Sequence, residues 1–390
     1  MLKELILQPR PSREINGLIR YECLLKKVDG GVSTGKSLLW FEYSDECELS
    51  SWKDSDQFLL AVLMDGMKEQ RNIRVKGAVS LSLLRNLHEF QLYWSSMLPD
   101  IYSLVEIDPE NTIIRKKVNE NAICAFSGGI DSSFSIWQHS QIDVRWRLQN
   151  ITMAVMVHGF DVPLSEHESF HRLFQRWKHP LEMRGVQLVS VRTNFREVST
   201  ASWEHTHGTA IAAGLNRYKT IAGNALIGST EPFYNQMGIW GSNSFSDHLL
   251  GSSDFSFIHD GAAYRRLDKV RYLCRWPDGL ENLQVCYEGK NRDENCGICE
   301  KCVRTQMTFK IQKLRIPDIF STVRNMKVSL WCIRLKSWPL FCEWNQMRQY
   351  VISHRQYRLI LPIYRLILLS RLHLCCRRMK RSLKSLFYPK

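Results

Sequence analysis

Short apolar segments alternate with helical patterns between residues 120 and 228, and this alternation constrains the possible folds more than any other feature of the chain. The segments AICAF, ITMAVMVHGF, VQLVSVRTN and TIAGNALIGS predict strands, and helices are predicted between them. Strands joined by helices pair in parallel, with helices on both faces of the sheet. The fold class is therefore predicted as α/β, and a ligand is expected at the C-terminal ends of the strands.

Residues 1–115 carry a different pattern. Two alternating segments, GLIRYECLLKKV and KSLLWFEYS, predict strands on either side of a glycine-rich turn. Two helices follow, one from a cap at Asp54 or Asp56 through QFLLAVLMDGMKEQ, the other from a cap at Ser80 through SLSLLRNLHEFQLYW. We therefore expect a separate N-terminal α+β accessory domain over 1–115, followed by the parallel α/β domain over 116–272.

The positive charge of the chain is concentrated towards its C-terminal end. The 390 residues carry a formal net charge of +14, yet no acidic residue follows Glu343, and eleven Lys and Arg lie between Arg348 and Lys390. The rest of the chain carries only +3, so its composition does not indicate nucleic-acid binding.

In this tail, Leu, Ile and Tyr alternate with Arg at near-helical spacing, which predicts a basic helical extension over 313–390. A helix of this kind can pack on the body of the protein and dock an acidic partner protein. We favour that interpretation over an anionic membrane surface or a nucleic acid, which the same pattern also allows.

The first residues, MLKEL, open no long apolar segment of the secretory type, and the chain contains no uninterrupted run of ~18 apolar residues. A cytoplasmic location is therefore expected. In a large chain of that kind, clustered cysteines indicate metal binding rather than disulfides.

A tight group of cysteines in VCYEGKNRDENCGICEKC has the spacing of a structural zinc site. Four thiolates match tetrahedral Zn²⁺, and a turn at Gly297 lets consecutive cysteines converge. A closed four-cysteine site leaves no open position for catalysis, so a structural role is expected for the segment 273–312. Cys274 is an alternative fourth ligand, with buried packing as its other explanation. The predicted ligands are Cys286, Cys296, Cys299 and Cys302.

Two other motifs match known patterns only formally. GGVSTGKS at 30–37 satisfies the P-loop pattern, but the residues after it predict a strand where a phosphate loop needs a helix. A hairpin turn explains its glycines. HESFH at 167–171 satisfies a zinc-protease pattern, but it lies on the predicted helix behind the second strand, whose apolar residues form a packing stripe. A surface helix explains its histidines.

The turn in CAFSGGIDSSFS stands between the first strand of the α/β domain and a helix. Gly128 and Gly129 allow backbone amides to approach phosphate oxygens, and the hydroxyls of Ser127 and Ser132 are further donors. The helix N-terminus favours an anion, and Asp131 can hold a Mg²⁺ ion that bridges phosphates. This strand–turn–helix context makes the turn the preferred phosphate site of the chain.

On the basis of the SGGIDSS turn and the four-cysteine motif, the chain resembles 7-cyano-7-deazaguanine synthases of the PP-loop ATP pyrophosphatase superfamily. These enzymes have an adenine nucleotide alpha hydrolase-like fold. SGGIDSS, Ser127–Ser133, looks like the loop that grips the pyrophosphate leaving group when ATP is cleaved to AMP. The cysteine spacing is similar to the C-terminal zinc site of the synthases, where a Cys-Tyr pair precedes a CGxCxxC knuckle. The resemblance covers roughly residues 120–310 and rests on these two motifs.

The resemblance implies an ATP-dependent C–N ligase with ATP, Mg²⁺ and Zn²⁺ as its cofactors. Such an enzyme adenylates 7-carboxy-7-deazaguanine, and the acyl-adenylate then meets an amine. The ordinary synthase uses ammonia and a second ATP to make the nitrile. In this family Asp131, Ser127 and Lys269 would carry the catalysis, with Lys269 reaching the nucleotide phosphates from the helix of AAYRRLDKVRYL.

The remaining candidate residues also come from the resemblance. Backbone groups around Met156, His158 and Gly159 would hold adenine. The segment after the fourth strand has two equally good explanations. It is either a polar surface loop or part of a binding pocket for the deazapurine substrate. His207 in WEHTHG is a further candidate, with core packing or capping as its alternative. The candidates for the pocket itself are Ser246, Asp247 and His248.

The chain departs from the ordinary synthase at both ends and in the acceptor loop. About 115 residues precede the SGG loop, about 80 follow the knuckle, and SFSDHLLGSSD replaces an Asp-Tyr-Ser-Gly-like stretch. Long variants of this kind occur in bacterial antiphage defence clusters, which implies transfer of the acyl group to an amine of a protein acceptor docked by the N-terminal domain. The alternatives are a tRNA-modifying adenylase or thiolase, which needs RNA binding by the tail, and a non-catalytic nucleotide-binding subunit of a defence complex.

Overall fold

The structure, a computed structural model, describes residues 2–44, 49–141, 146–236, 239–320 and 326–387. The side chains of 326–328 and 376–387 and the whole of 388–390 lie outside the description, and with them part of the predicted basic extension. The chain divides into two compact units, Met1–Ala263 and Tyr264–Lys390.

All strands of the described residues belong to the first unit, and helices occur in both. The strands are β1 (Lys3–Ile15), β2 (Leu18–Asp29), β3 (Val32–Ser44), β4 (Asn72–Ser80), β5 (Ile107–Ile113), β6 (Ala122–Ala125), β7 (Ile151–His158), β8 (Gln187–Thr193), β9 (Asn224–Gly228) and β10 (Ser256–Asp260). The helices of the first unit are α1 (Asp56–Glu69), α2 (Leu81–Met97), α3 (Ile130–His139), α4 (His167–Glu182), α5 (Phe195–Val198) and α6 (Trp203–Leu215). Those of the second unit are α7 (Arg266–Leu273), α8 (Pro277–Leu280), α9 (Glu300–Ile311), α10 (Met326–Cys332), α11 (Trp338–Ser353) and α12 (Tyr357–Phe387).

The first unit is built on one ten-stranded sheet with the order β10-β9-β6-β7-β8-β3-β2-β1-β4-β5. The strands β6 to β10 pair in parallel, which confirms the predicted α/β class and its mostly parallel sheet. Numbered from β6, these five strands follow the doubly wound order 3-2-1-4-5. The order in which strands are added across the sheet reverses between β6 and β9, and we call this place the reversal point. Because such crossovers are right-handed, α3 and α4 belong to one face of the sheet and α6 to the other.

The predicted hairpin between β2 and β3 is present. Gly30 and Gly31 connect the two strands, and both have positive φ, as a two-residue hairpin turn of type I′ requires. The formal P-loop pattern therefore runs from the turn directly into β3, and no helix follows it. The glycines serve the turn.

The strand β1 was not predicted from the sequence, and its segment KELILQPRPSREI contains two prolines. The structure accommodates both. Only Glu4–Leu7 of β1 pairs with β4, so beyond Leu7 the strand has β2 as its single partner. Pro9 and Pro11 lie in that edge stretch, where a missing N–H costs no hydrogen bond on the open side.

The first 115 residues do not form a separate compact unit, in contrast to the expectation from the sequence. Phe41–Tyr43 of β3 pairs antiparallel with Val191–Thr193 of β8, which makes the two halves one sheet. Helix α1 is buried along nearly its whole surface and packs against α6, in agreement with a sequence that is apolar all round. Backbone pairing and a shared core therefore unite residues 1–263.

The boundary between the units also lies earlier than the predicted one at residue 272, and it places 264–390 in a single body. Val303 and Met307 of α9, which follows the cysteine knuckle, share one core with Trp344 of α11 and Ile363 of α12. The predicted knuckle segment and the predicted C-terminal extension are thus packed together, because α9 buries its apolar side against the two later helices.

A buried ion cluster lies where α1 meets the turn after α6. The Lys219 ammonium is 2.5 Å from Asp54 Oδ2 and 2.8 Å from Asp56 Oδ2, and all three side chains are buried. Burial alone would lower the pKa of Lys219, but the neighbouring carboxylates of Asp56 and Asp54 raise it. Nearby, the buried Arg217 donates to Gln57 Oε1 at 2.7 Å. The cluster ties residues of the first half of the unit to residues of the second.

Replacing the buried ammonium tests this connection. Lys219→Met leaves two carboxylates close together in a buried site with less compensating charge, and we expect unfolding free energy to fall by about 3–5 kcal/mol. Chemical denaturation of the full chain measures the change. The matched control is Lys116→Met, which removes an exposed ammonium; equal midpoints for the two variants would contradict the assignment.

Candidate nucleotide site and metal centre

The turn SGGIDSS leaves the C-terminal end of β6 at the point where the strand order reverses. Phe126 N–H donates to Val155 O at 2.9 Å and extends the pairing with β7. Gly129 then caps α3 in an extended conformation, so that the chain passes from the end of β6 to the start of α3 through four residues, 126–129. A doubly wound sheet opens its ligand crevice at this place, and the turn lies where the sequence predicted it.

The glycines of the site are required by close contacts. Gly128 has φ +74°, and a Cβ there would lie 2.4 Å from Trp177 Nε1. Gly228, at the end of β9, approaches the first turn of α3, and a Cβ would lie 2.9 Å from Asp131 O and 3.0 Å from Ser132 N. Sequence reasoning missed Gly228, although a glycine at the end of a predicted strand was visible in TIAGNALIGS.

The loop holds its shape through long hydrogen bonds between its own serines and glycines. Ser127 N–H donates to Ser132 Oγ, Gly129 N–H donates to Ser127 Oγ, and Ser132 Oγ donates to Gly129 O, each at 3.3 Å. These distances are beyond the usual 2.7–3.2 Å range, so phosphate oxygens can replace the hydroxyl partners at low cost. Ser127 is exposed and Asp131 is half-buried.

Ser133 differs from the other predicted phosphate ligands. Its N–H donates to Gly129 O at 3.0 Å inside the helix, and its side chain is fully buried. Within the described residues its hydroxyl has no hydrogen-bond partner. The loop therefore offers the exposed Ser127 and the half-buried Gly129 to a ligand more openly than it offers Ser133 or the buried Gly128.

The predicted adenine-binding residues lie at the end of β7. Met156 is buried in the strand, and the His158 ring stacks on Phe170 with 4.4 Å between centroids. His158 Nε2 is 2.9 Å from Pro163 O, and burial lowers the pKa of His158 to about 4. Gly159 has φ +104°, and a Cβ there would lie 2.0 Å from Thr193 O. The His158 side chain is thus committed to the protein interior, which leaves backbone groups to meet a ligand.

The acceptor loop is organised around the buried Asp247 carboxylate. Its Oδ2 accepts from Ser242 Oγ at 2.7 Å and lies 2.7 Å from His259 Nδ1, while its Oδ1 accepts from Asn243 N–H at 3.0 Å. His259 Nε2 in turn lies 3.0 Å from the side-chain amide nitrogen of Gln236. Asp247 therefore holds its own loop to the end of β10, and its contact with a substrate stays a prediction.

The other predicted acceptor residues are placed differently from one another. His248 is exposed, whereas Ser246 is fully buried and its hydroxyl has no hydrogen-bond partner within the described residues. His259 was missed because β10 was not predicted. The available pattern was an apolar run, FSFI, ending in His and Asp.

His207 lies on α6 beside the acceptor loop. Its Nδ1 is 3.2 Å from Trp203 O, and its ring is 5.0 Å from that of Trp240. Burial lowers the pKa of His207, although Asp247 is close enough to oppose the shift. A Cβ at Gly241 would lie 2.6 Å from His207 Nδ1. The structure thus brings the half-buried His207 and the buried Asp247 into one neighbourhood.

The second unit contains the predicted metal centre, and it also contains Lys269, which is buried on α7. Among the described residues, one group of at least three potential ligands has the geometry to hold a metal ion, with its ligand atoms within 4.8 Å of one another. The pair in HESFH is not part of such a group, and both of its histidines are exposed on α4. The group consists of Cys286, Cys296, Cys299 and Cys302.

Local structure explains how the four sulfurs converge. Gly297 turns the chain with φ +72°, and Cys299 caps α9, so that Cys302 lies in the first turn of that helix. Cys296 N–H donates to Cys286 Sγ at 3.2 Å, and Cys299 N–H donates to Cys296 Sγ at 3.3 Å. The N-terminus of α9 and these amides stabilise thiolate charge. The donor set matches a closed tetrahedral site for an ion such as Zn²⁺.

Asn295 joins the two segments that carry the cysteines. Its side-chain oxygen accepts from Val285 N–H at 2.9 Å and Cys286 N–H at 3.3 Å, and its amide nitrogen donates to Leu283 O at 2.8 Å. Cys274 ends α7 outside the group, and burial raises its pKa. Cys286 is therefore the fourth member of the cluster, and Cys274 is a packing residue.

Metal content distinguishes ligand from packing cysteines. We expect about one zinc ion per chain in the purified protein and a loss of most of it in Cys299→Ser, because three thiolates form an incomplete tetrahedral site. Elemental analysis measures the ratio. Cys274→Ser is the matched control and should retain its zinc; loss of metal from Cys274→Ser alone would reverse the assignment.

The buried His158 predicts a pH dependence of stability. Its pKa is about 4 in the folded chain against an ordinary value of 6.5, so the unfolded chain takes up this proton first as pH falls. The stability contributed by neutral His158 is complete above about pH 6.5 and is lost as pH falls from there towards about 4. Denaturant unfolding near pH 7 and near pH 5 gives the unfolding free energy that each variant loses between the two pH values. This loss should be smaller for His158→Gln than for the exposed control His171→Gln, and equal losses would contradict the assignment.

No protein-family model, curated protein or solved structure matches this chain. The resemblance to the synthases therefore rests on the phosphate-loop motif and the cysteine motif themselves. The structure adds a parallel sheet with the first motif at its reversal point and a tight cluster of the four cysteines. The function has to be argued from this geometry.

Proposed function

We propose that the first unit binds ATP and transfers its adenylyl group to a carboxylate. The observation that carries the proposal is the position of SGGIDSS, which joins β6 to the N-terminus of α3 at the reversal point of a parallel sheet. Backbone amides there meet the positive end of a helix dipole, an arrangement that favours phosphate groups. The close approach of Gly228 to Asp131 and Ser132 supports it, since a side chain at the end of β9 would displace the first turn of α3.

The residues divide the chemistry between them. Ser127, Gly128 and Gly129 would bind the β- and γ-phosphates, and Asp131 would hold Mg²⁺, which supplies charge neutralisation when bound. A substrate carboxylate oxygen forms a bond to the α-phosphorus, the bond from that phosphorus to the bridging oxygen breaks, and pyrophosphate leaves with the electron pair. Positioning and charge stabilisation suffice for this displacement, so no protein nucleophile is needed.

The second step consumes the acyl-adenylate. An amine nitrogen attacks the acyl carbon, AMP leaves with the electron pair of the C–O bond, and the nitrogen loses a proton to give an amide. We propose 7-carboxy-7-deazaguanine as the carboxylate, on the strength of the synthase-like cysteine motif. The acceptor is ammonia or an amine of a partner protein, and the half-buried rings and buried polar groups around His207 and Asp247 would border the base.

Isotope transfer tests the first step directly. With 7-carboxy-7-deazaguanine labelled with ¹⁸O in its carboxylate, ATP and Mg²⁺, adenylation followed by amide formation must move one label into AMP. We expect AMP and pyrophosphate in equal amounts, labelled AMP by mass spectrometry, and a loss of roughly 100-fold in rate for Asp131→Asn. The exposed Asp100→Asn is the matched control.

Several outcomes would overturn the proposal. Release of ADP and phosphate would indicate cleavage at the γ-phosphate, and AMP without substrate dependence would indicate simple hydrolysis. Turnover by Asp131→Asn equal to that of Asp100→Asn would remove Asp131 from the site. Reactions with and without ammonia separate the two acceptors, since a deazaguanine amide or nitrile forms with ammonia and the acyl-adenylate accumulates without an acceptor.

A further inference from the structure

Helix α12 is apolar on two opposite sides. One side packs into the core of the second unit through Ile363, Leu366 and Ile367, all of them buried. Ser370 on the same side donates to Leu366 O at 2.7 Å and accepts from Leu335 N–H at 3.0 Å. This side fully accounts for how the helix is anchored, so the apolar residues of the other side need a separate explanation.

The opposite side forms a straight exposed stripe, which we call the α12 seam. Its members are largely exposed, at 67%, 73%, 51%, 44% and 53% of their surface. Their spacing of four, three, four and four residues keeps them within one narrow face of a helix, over a length of about 22 Å. The first four positions follow the alternating four- and three-residue steps of a coiled-coil seam. The members are Tyr357, Leu361, Tyr364, Leu368 and Leu372.

Cations flank this seam. The exposed Arg358 follows a seam residue by one position, on the border that faces a partner helix in a coiled coil. Arg365 occupies the equivalent position, with its guanidinium over the ring of Trp331. Arg371 is exposed on the seam side itself. No acidic residue follows Glu343 in the sequence, so nothing on α12 balances these charges. The α12 seam thus combines an apolar centre with a border that carries only positive charge.

We propose that the α12 seam docks an amphipathic helix of a partner protein whose own apolar seam is bordered by Asp and Glu. Complementary charge at the border positions selects partner and orientation in helix pairs. A second copy of this chain fits poorly, because it would oppose arginine to arginine. The proposal does not depend on the adenylation reaction, since it uses the second unit alone.

Two synthetic helices provide the probes. Both are about four heptads long with Leu at the seam positions, and one carries Glu while the other carries Lys at the border positions. Fluorescence anisotropy with the full chain at low salt should show binding of the Glu peptide at least about tenfold tighter than binding of the Lys peptide. Leu361→Glu/Leu368→Glu should weaken the Glu peptide by at least about tenfold, since two buried leucines are lost from the contact.

Charge reversal supplies a readout that misfolding cannot mimic. Arg358→Glu/Arg371→Glu should weaken binding of the Glu peptide and strengthen binding of the Lys peptide, which together lowers the preference for the Glu peptide by about fivefold or more. The exposed Met183→Glu in the first unit is the control and should bind as the unaltered chain does.

Three results would overturn the proposal. The first is equal binding of both peptides, or none. The second is sedimentation of the chain with anionic phosphatidylglycerol vesicles that is lost in Leu361→Glu/Leu368→Glu, which would assign the seam to a membrane surface; none of the described helices is long and apolar enough to cross one. The third is a dimer in light scattering that the same variant converts to a monomer.

Discussion

The buried ammonium of Lys219, held between the carboxylates of Asp54 and Asp56, is the interaction on which the first unit depends. It lies where α1 packs on the end of α6, so it fixes the N-terminal half against the parallel half. Charges removed from water this completely are tolerated only when each has partners in place. We therefore expect the two halves to fold and unfold as one unit, although the sequence patterns that specify them are distinct.

The pairing of the N-terminal half with the parallel half also supports the strand ends from which the loops of the parallel sheet begin. Without β3, β8 would be an exposed edge. In the structure Thr193 Oγ1 at the end of β8 donates to Trp40 O of β3 at 2.7 Å, and Thr193 O abuts Gly159 at the end of β7. The N-terminal half thus supports the strand ends that flank the SGGIDSS turn, which is a structural role separate from the proposed docking of an acceptor.

Three strand ends at this edge of the sheet carry glycines in close contact with a neighbour: Gly128 after β6, Gly159 after β7 and Gly228 at the end of β9. Each contact leaves no room for a side chain, so neighbouring residues pack directly against the backbone at these three positions. Under the proposed function, backbone amides at this edge would meet the phosphates of ATP. In the proposed reaction, discrimination between carboxylates would come from elsewhere, and the acceptor loop around Asp247 and His207 is a neighbouring region with buried polar side chains.

Sequence patterns were sufficient wherever a local rule decided the structure. The hairpin at Gly30 and Gly31, the strand–turn–helix around SGGIDSS, and the convergence of four cysteines through Gly297 all follow from spacing and turn chemistry. Patterns failed where a segment depends on distant partners. Strand β1 contains prolines that are harmless only because its outer end is an edge, and β10 is short, with His259 at its end held by Asp247 from another loop.

The sequence by itself determined the α/β class, the glycine-rich turn between β6 and α3, and the four-cysteine cluster. Each of these is specified by the pattern and spacing of residues that are close together in the sequence. Only the tertiary structure decided that residues 1–263 share one sheet and that Asp247 is occupied by its own loop. It also showed that α12 buries one apolar side and exposes the other. These outcomes depend on which surfaces meet, and contacts between residues far apart in the chain leave no periodic pattern in the sequence.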